Sequence, residues 1–107
     1  MLSSGYSWPI FVEDRRDRTI YITSERWEHA LGHPGMSDEL LVATLETIRE
    51  GSHRQDTYDA TKFYYTREYY DLPDPYTHMV VVVKAGWQGI PPVPNNFVLT
   101  AYLIQKW

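Results

Sequence analysis

The sequence predicts one α+β domain spanning residues 1–107, in which an N-terminal hairpin and two helices precede an antiparallel sheet of about four strands. Apolar residues make up 43% of the chain and charged residues only 22%, which is enough apolar side chain for a packed core. Helical periodicity with capping residues is confined to the first half. Tyrosine, valine and threonine at strand spacing dominate the second half.

The first predicted element is a hairpin. Residues 6–12 and 18–22 are short apolar-rich stretches. The charged run at residues 13–17 separates them, and such a run is typical of the turn between two strands.

Two helices are predicted next. Thr23 or Ser24 supplies a capping oxygen for a short helix over residues 25–31. The second helix begins after Ser37, with acidic residues in its first turn and leucines at helical spacing, and ends at Gly51.

The rest of the chain predicts a sheet. Its strands are expected at residues 53–58, 62–70, 78–84 and 97–105. The run at residues 79–83 is apolar on both faces, which indicates a central strand. Proline and glycine predict surface loops at residues 71–75 and 86–96.

Composition excludes several classes of function. The chain has no cysteine, which excludes disulfides, thiolate zinc sites and cysteine catalysis. The net charge of −4 argues against binding nucleic acid through bulk electrostatics, although residues 75–107 contain Lys84 and Lys106 and no acid. Neither a signal peptide nor a membrane-spanning segment is recognisable, so a cytoplasmic protein without a membrane partner is expected.

His29 and His33 form the first candidate site. Their spacing of four residues would place both imidazoles on one face of a continuous helix, as metal ligation requires. Gly32 and Pro34 disturb that geometry and no cysteine completes a ligand set, so no metal is predicted. Acid–base catalysis by these histidines is the functional interpretation, because only histidine titrates near neutrality without a shifted pKa. Ordinary packing of both side chains is the structural alternative.

The second candidate lies on the predicted strands. Alternation in the last strand places Thr100 and Tyr102 on one face together with Val98 and Ile104. Cations of neighbouring strands would stand near them and could hold a phosphate; these are Arg54, Lys62, Arg67 and Lys84. Tyr64 is one of several tyrosines that could contact a base. A half-exposed sheet without a ligand, or a protein interface, has the same composition.

Three stretches of sequence together resemble a known family. They are Ile20-Tyr-Ile-Thr-Ser-Glu-Arg-Trp-Glu-His29 followed by His33-Pro34, the valine-rich Val80-Val-Val-Val-Lys84, and Phe97-Val-Leu-Thr-Ala-Tyr102. From about residue 18 onward the chain resembles phage-associated, RelE-like nuclease-fold proteins of the Barnase-EndoU-colicin-RelE superfamily. The resemblance implies helices before a curved antiparallel sheet of RelE-like type, and a hydrolase that cleaves RNA without a metal or cofactor.

The resemblance also implies roles for individual residues. His29 takes the acid–base role with His33 as its neighbour, Thr100 holds the phosphate beside Tyr102, and a cation stabilises the developing negative charge. Placement on the predicted strands, and not the resemblance, makes Arg67 or Lys62 the candidate for that cation. The substrate-binding candidates are Arg54, Lys62, Tyr64 and Lys84.

The function that the resemblance implies is endoribonucleolytic cleavage by attack of the ribose 2′-hydroxyl, as in a toxin or phage-related effector. RNA and an antitoxin or other protein are the expected partners, with a homodimer left open. The alternative is a catalytically inactive member of the fold that binds another protein through its tyrosine-rich surface and the proline-rich residues 90–94.

Overall fold

The computed structural model describes residues 6–106. Two α-helices are present, α1 (Ser24–Leu31) and α2 (Leu41–Glu50), and a single 3₁₀ turn, Asp38–Leu40, leads into α2. The strands are β1 (Ile10–Glu13), β2 (Thr19–Ile22), β3 (Ser52–Gln55), β4 (Lys62–Glu68), β5 (His78–Gln88) and β6 (Val93–Ile104). All six belong to one sheet in the order β1-β2-β6-β5-β4-β3. Neither helix of the described residues is long and apolar enough to cross a membrane.

The molecule has the α+β class, but the predicted layout is wrong. The hairpin does not stand before an antiparallel sheet of about four strands, because β1 and β2 are themselves part of a six-stranded mixed sheet. β2 pairs in parallel with β6, matching Ile20 with Asn96. The helices therefore lie between strands of one sheet in the chain order, which contradicts the predicted order of a hairpin and two helices before the sheet.

The physical reason for this difference is burial of the hairpin. Ile20 and Ile22 are completely buried, and a two-stranded hairpin has no interior in which to bury them. When β2 pairs with β6, the hairpin becomes part of the large sheet. Ile20 and Ile22 then pack in the same core as the buried residues of α2.

The helix α2 covers one side of the sheet, which we call the back face. Its Thr44 hydroxyl contacts the Met79 sulfur at 3.4 Å, and its Thr47 hydroxyl lies 2.9 Å from the Tyr69 hydroxyl, just after β4. We call the opposite side the front face. The register places on it Phe11, Tyr21, Arg54, Lys62, Tyr64, Lys84, Phe97, Thr100 and Tyr102.

β5 confirms the prediction of a central strand. It lies between β4 and β6, and every side chain from Met79 to Val83 is at most 6% exposed. The loop predicted at residues 86–96 is wrong, because β5 and β6 continue as a ladder as far as the pair Gln88–Val93. Pro94 is accommodated in this ladder opposite Trp87. At Pro94, β6 pairs with β5 alone, because β2 pairs only with Asn96 and Phe97. The absent N–H of Pro94 therefore interrupts no hydrogen bonds to a second strand.

A β-bulge changes the faces of β6. Val83 pairs with Val98 while Val82 pairs with Thr100, which leaves Leu99 without an opposite residue. Val98 is consequently buried on the back face, and its predicted position beside Thr100 is wrong. The carbonyl of Leu99 accepts bonds from Nε and Nη2 of Arg26 in α1, at 2.9 and 2.7 Å. The bulge thus fixes α1 against β6.

Substitution of Gly35 by alanine is expected to destabilise the fold by about 1–3 kcal/mol. Gly35 has φ +82°, and a Cβ there would lie 2.8 Å from Cε2 of Tyr76. Gly89→Ala is the matched control, since it has φ +87° but no neighbour closer than 3.7 Å. Urea unfolding should show the larger loss for Gly35→Ala; equal losses would contradict the close contact with Tyr76.

Candidate active site

The turn after α1 brings a histidine to the last strand. The helix is capped at its start by the Thr23 hydroxyl, which accepts from the Arg26 N–H at 3.1 Å. Past its end, the His33 N–H donates to the Ala30 carbonyl at 3.0 Å and continues the turn. Nε2 of His33 then lies 3.1 Å from Oγ1 of Thr100, a residue 67 positions later in the chain.

Two further rings surround this contact. The ring of Tyr102 lies 5.8 Å from that of His33, centre to centre. The ring of His29 lies 5.8 Å from that of His33 in an edge-on arrangement, and its side chain is exposed. The structure therefore brings together four of the residues selected from the sequence, His29, His33, Thr100 and Tyr102, at one border of the front face.

Tyr64 and Arg54 continue the row that starts at Thr100. Thr100 is in register with Val82, Val82 with Tyr64, and Tyr64 with Arg54. The Arg54 guanidinium lies over the Tyr64 ring at 4.6 Å. The Tyr64 hydroxyl donates to Asp56 at 2.6 Å, and this bond, with partial burial and the Asp56 charge, raises the pKa of Tyr64.

Two lysines occupy the neighbouring row of the front face. Lys62 is in register with Lys84, and Lys84 with Phe97. The Lys84 ammonium lies 2.9 Å from Oδ2 of Asp59. Hydrogen bonds from Thr61 and Lys84 to Asp59 hold the pKa of that carboxyl far below its usual range. Within residues 6–106, Lys62 makes no ion pair shorter than 4.0 Å, although its charge helps to lower the pKa of the nearby Asp56.

Arg67 does not belong to this group. In β4 it is in register with Met79 on the back face, and its Nη1 lies 2.8 Å from the Glu46 carboxylate of α2. The sheet therefore separates Arg67 from Thr100. Of the two cations considered for charge stabilisation, only Lys62 is on the front face.

No family model, curated protein or solved structure matches the chain. Function is therefore inferred from the arrangement of side chains. Across the described part of the chain, no group of three or more histidine, aspartate or glutamate residues could hold a metal ion. His29 and His33 accordingly have no third ligand among these residues.

A second polar cluster was missed by sequence reasoning. Asp14 is 6% exposed and accepts bonds from the Tyr65 hydroxyl and from the N–H groups of Arg16 and Arg18. Nε of Arg18 lies 3.2 Å from the same carboxylate, and its Nη2 lies 2.7 Å from Nε2 of His53. The only signal in the sequence was the charged run at residues 13–17, which identified the turn but not these distant partners.

This cluster lies beside a cavity of about 250 Å³ between the hairpin turn and β3. Burial lowers the pKa of His53, and the charges of Arg18 and Arg16 lower it further. Burial acts to raise the pKa of Asp14, but the bonds from Tyr65, Arg18 and Arg16 outweigh it and hold that pKa below 3.8. The bonds from Asp14 to Tyr65 and from Arg18 to His53 join the hairpin to β4 and β3.

Stability is expected to fall in two steps on acidification. The unfolded chain binds a proton at His53 as the pH drops below 6.5, while the folded chain, with its lower pKa, does not. The free energy of unfolding falls again below pH 3.8, because Asp14 is protonated at a higher pH in the unfolded chain than in the folded chain. We expect His53→Gln to reduce the decrease in the free energy of unfolding between about pH 7 and 5, as measured by urea unfolding at several pH values.

His78→Gln is the control for this experiment. His78 lies outside the cluster and its Nδ1 contacts the Thr77 hydroxyl at 2.7 Å. An unchanged pH profile in His53→Gln would contradict the assignment of the first step to His53.

Proposed function

We propose that this chain is a metal-independent endoribonuclease whose reacting phosphate is held at the border of the front face. The contact between Nε2 of His33 and Oγ1 of Thr100, at 3.1 Å, carries this proposal. His29 and Tyr102 lie close to this pair. The two imidazoles can accept and donate protons, and the two hydroxyls can form hydrogen bonds to the same substrate group.

The reaction is attack of the ribose 2′-hydroxyl on the adjacent phosphorus. One imidazole removes the 2′-hydroxyl proton, and the other returns a proton to the departing 5′-oxygen, giving a cyclic phosphate. The rings of His29 and His33, 5.8 Å apart, are assigned these two roles. Thr100 orients His33 and contacts a phosphate oxygen, and the Tyr102 hydroxyl donates to another.

Charge stabilisation falls to the lysines of the neighbouring row. Lys62 has no ion-pair partner within the described chain, and Lys84 shares its charge with Asp59. A cation near the phosphorus stabilises the extra negative charge of the pentavalent transition state. Lys62 therefore replaces Arg67 in this role.

The choice of RNA as substrate is supported by the resemblance to phage-associated nucleases and by the acid–base groups, which suit a substrate that carries its own 2′-hydroxyl nucleophile. The same resemblance supports a toxin that acts in the cytoplasm and is held inactive by a protein antitoxin. The net charge of −4 favours a small RNA site over broad electrostatic docking on a ribosome.

The experiment is incubation of the purified chain with a mixed RNA substrate in excess chelator, followed by analysis of the product ends. Products with cyclic phosphate ends are the expected result. Absence of cleavage at protein concentrations where trace contaminating nucleases would already be detected overturns the proposal.

A catalytically inactive protein-binding module is the second candidate. The tip of the β5–β6 hairpin favours it, because Trp87, Ile90 and Val93 are 72%, 101% and 55% exposed. Exposed large apolar side chains of this kind are enriched in protein interfaces. Failure of the RNA experiment would make this module the leading function.

A further inference from the structure

Three aromatic rings lie side by side on the front face. Phe11 of β1 is in register with Tyr21 of β2, and Tyr21 with Phe97 of β6. The ring centres are 5.9 Å apart for Phe11 and Tyr21, and 6.0 Å apart for Tyr21 and Phe97. We call these three residues the aromatic row.

The core does not require these rings. The neighbours of Phe11 and Tyr21 in the chain, Val12, Ile20 and Ile22, point to the back face and are buried there. Phe11, by contrast, is 63% exposed, so most of its ring faces solvent. The Tyr21 hydroxyl donates to Oδ1 of Asn95 at 2.9 Å, which holds the middle ring in place. The aromatic row is thus a preformed and accessible apolar surface.

The aromatic row leads directly to the candidate active site. Phe97 is in register with Lys84, and Lys84 with Lys62, so the three rings continue into two cations. Thr100 follows on the same face of β6, immediately beyond the bulge at Leu99. A strand of nucleic acid with its phosphate at Thr100 would place the neighbouring nucleotide over Phe97.

We propose that the aromatic row is a base-stacking surface for single-stranded RNA, adjacent to the phosphate held at Thr100 and His33. This inference rests on the proposed function and extends it to the class of substrate. Aromatic rings stack on bases of any sequence but only when those bases are unpaired, because a duplex buries their faces. Lys62 and Lys84 supply the phosphate contacts that distinguish this row from an apolar protein interface.

The test uses a short 2′-O-methyl oligoribonucleotide, which cannot be cleaved because its 2′-oxygen is blocked. Phe11→Ala is expected to raise its Kd by about tenfold, as loss of stacking on one base would. Phe11→Trp should retain wild-type affinity. Tyr70→Ala is the matched control, because Tyr70 is also a highly exposed aromatic residue, at 97%, but lies outside the aromatic row.

Further arms separate this inference from the proposed function. The same oligomer annealed to its complement, or with abasic sites in place of its bases, should show no difference between wild type and Phe11→Ala. Wild-type affinity in Phe11→Ala, or an equal loss in Tyr70→Ala, would overturn the stacking surface even if the chain cleaves RNA. Binding that depends on Phe11 without any cleavage of natural RNA would support the surface and overturn the ribonuclease.

Discussion

Replacing His33 with alanine is expected to slow RNA cleavage by about 10²- to 10⁴-fold, the usual contribution of one general acid or base. Nε2 of His33 is 3.1 Å from the Thr100 hydroxyl, where we propose that the phosphate binds, and no other histidine of the described chain forms a hydrogen bond with Thr100. Because the side chain is only partly buried, the fold should survive. Initial rates on one RNA substrate, with urea unfolding of the same preparations, measure both effects.

The controls identify which histidine is essential. His78→Ala should cleave at the wild-type rate, because His78 lies on the front face beside Ile104, at the far end of β6 from the aromatic row. His29→Ala should also lose activity if the two imidazoles act as acid and base. Full activity in His33→Ala with an inactive His29→Ala would assign the acid–base role to His29, the residue to which the resemblance gives it.

Replacing Asp14 with alanine is expected to reduce the free energy of unfolding by about 3–5 kcal/mol, the cost of breaking a buried ion pair from one side. The carboxylate is nearly inaccessible and neutralises Arg18 while accepting the Tyr65 hydroxyl. Its loss leaves Nε of Arg18 and the buried Tyr65 phenol without their acceptor, while Nη2 of Arg18 still contacts His53. Urea unfolding at neutral pH measures the change.

Glu13→Ala is the matched control for this substitution. Glu13 precedes Asp14 in the chain but is exposed, so its removal should change stability by no more than about 0.5 kcal/mol. Equal midpoints for Asp14→Ala and the wild-type chain would show that the cluster contributes nothing to the attachment of the hairpin.

Local features of the fold could be predicted from the sequence because local residues determine them. Thr23, one of the two predicted caps, caps α1, and the apolar run at residues 79–83 lies in the centre of the sheet. The parallel pairing of β2 with β6 depends instead on residues far apart in the chain, and no local pattern signals it. The bulge at Leu99 likewise arises from a mismatch between two paired strands.

In the candidate site, too, local features could be predicted from the sequence and contacts between distant residues could not. Thr100 and Tyr102 could be assigned to one face because alternation within a strand is local. The same alternation in β4 places Lys62 and Arg67 on opposite faces, so the sequence already contained the reason to separate them. Which of His29 and His33 meets Thr100 could not be predicted, because the turn after α1 decides it.

The parallel pairing of β2 with β6 has a consequence for the timing of folding during synthesis. The Asn96 side chain donates to the carbonyl of Thr19, 77 residues earlier, so the hairpin gains its neighbouring strand only after the first half of β6 has been made. Contacts this distant in sequence form slowly. Thr100 and Tyr102 also belong to β6, so a nascent chain on the ribosome lacks the complete site until that strand has emerged. If the proposed function holds, the chain would have no complete site for RNA before β6 has left the ribosome.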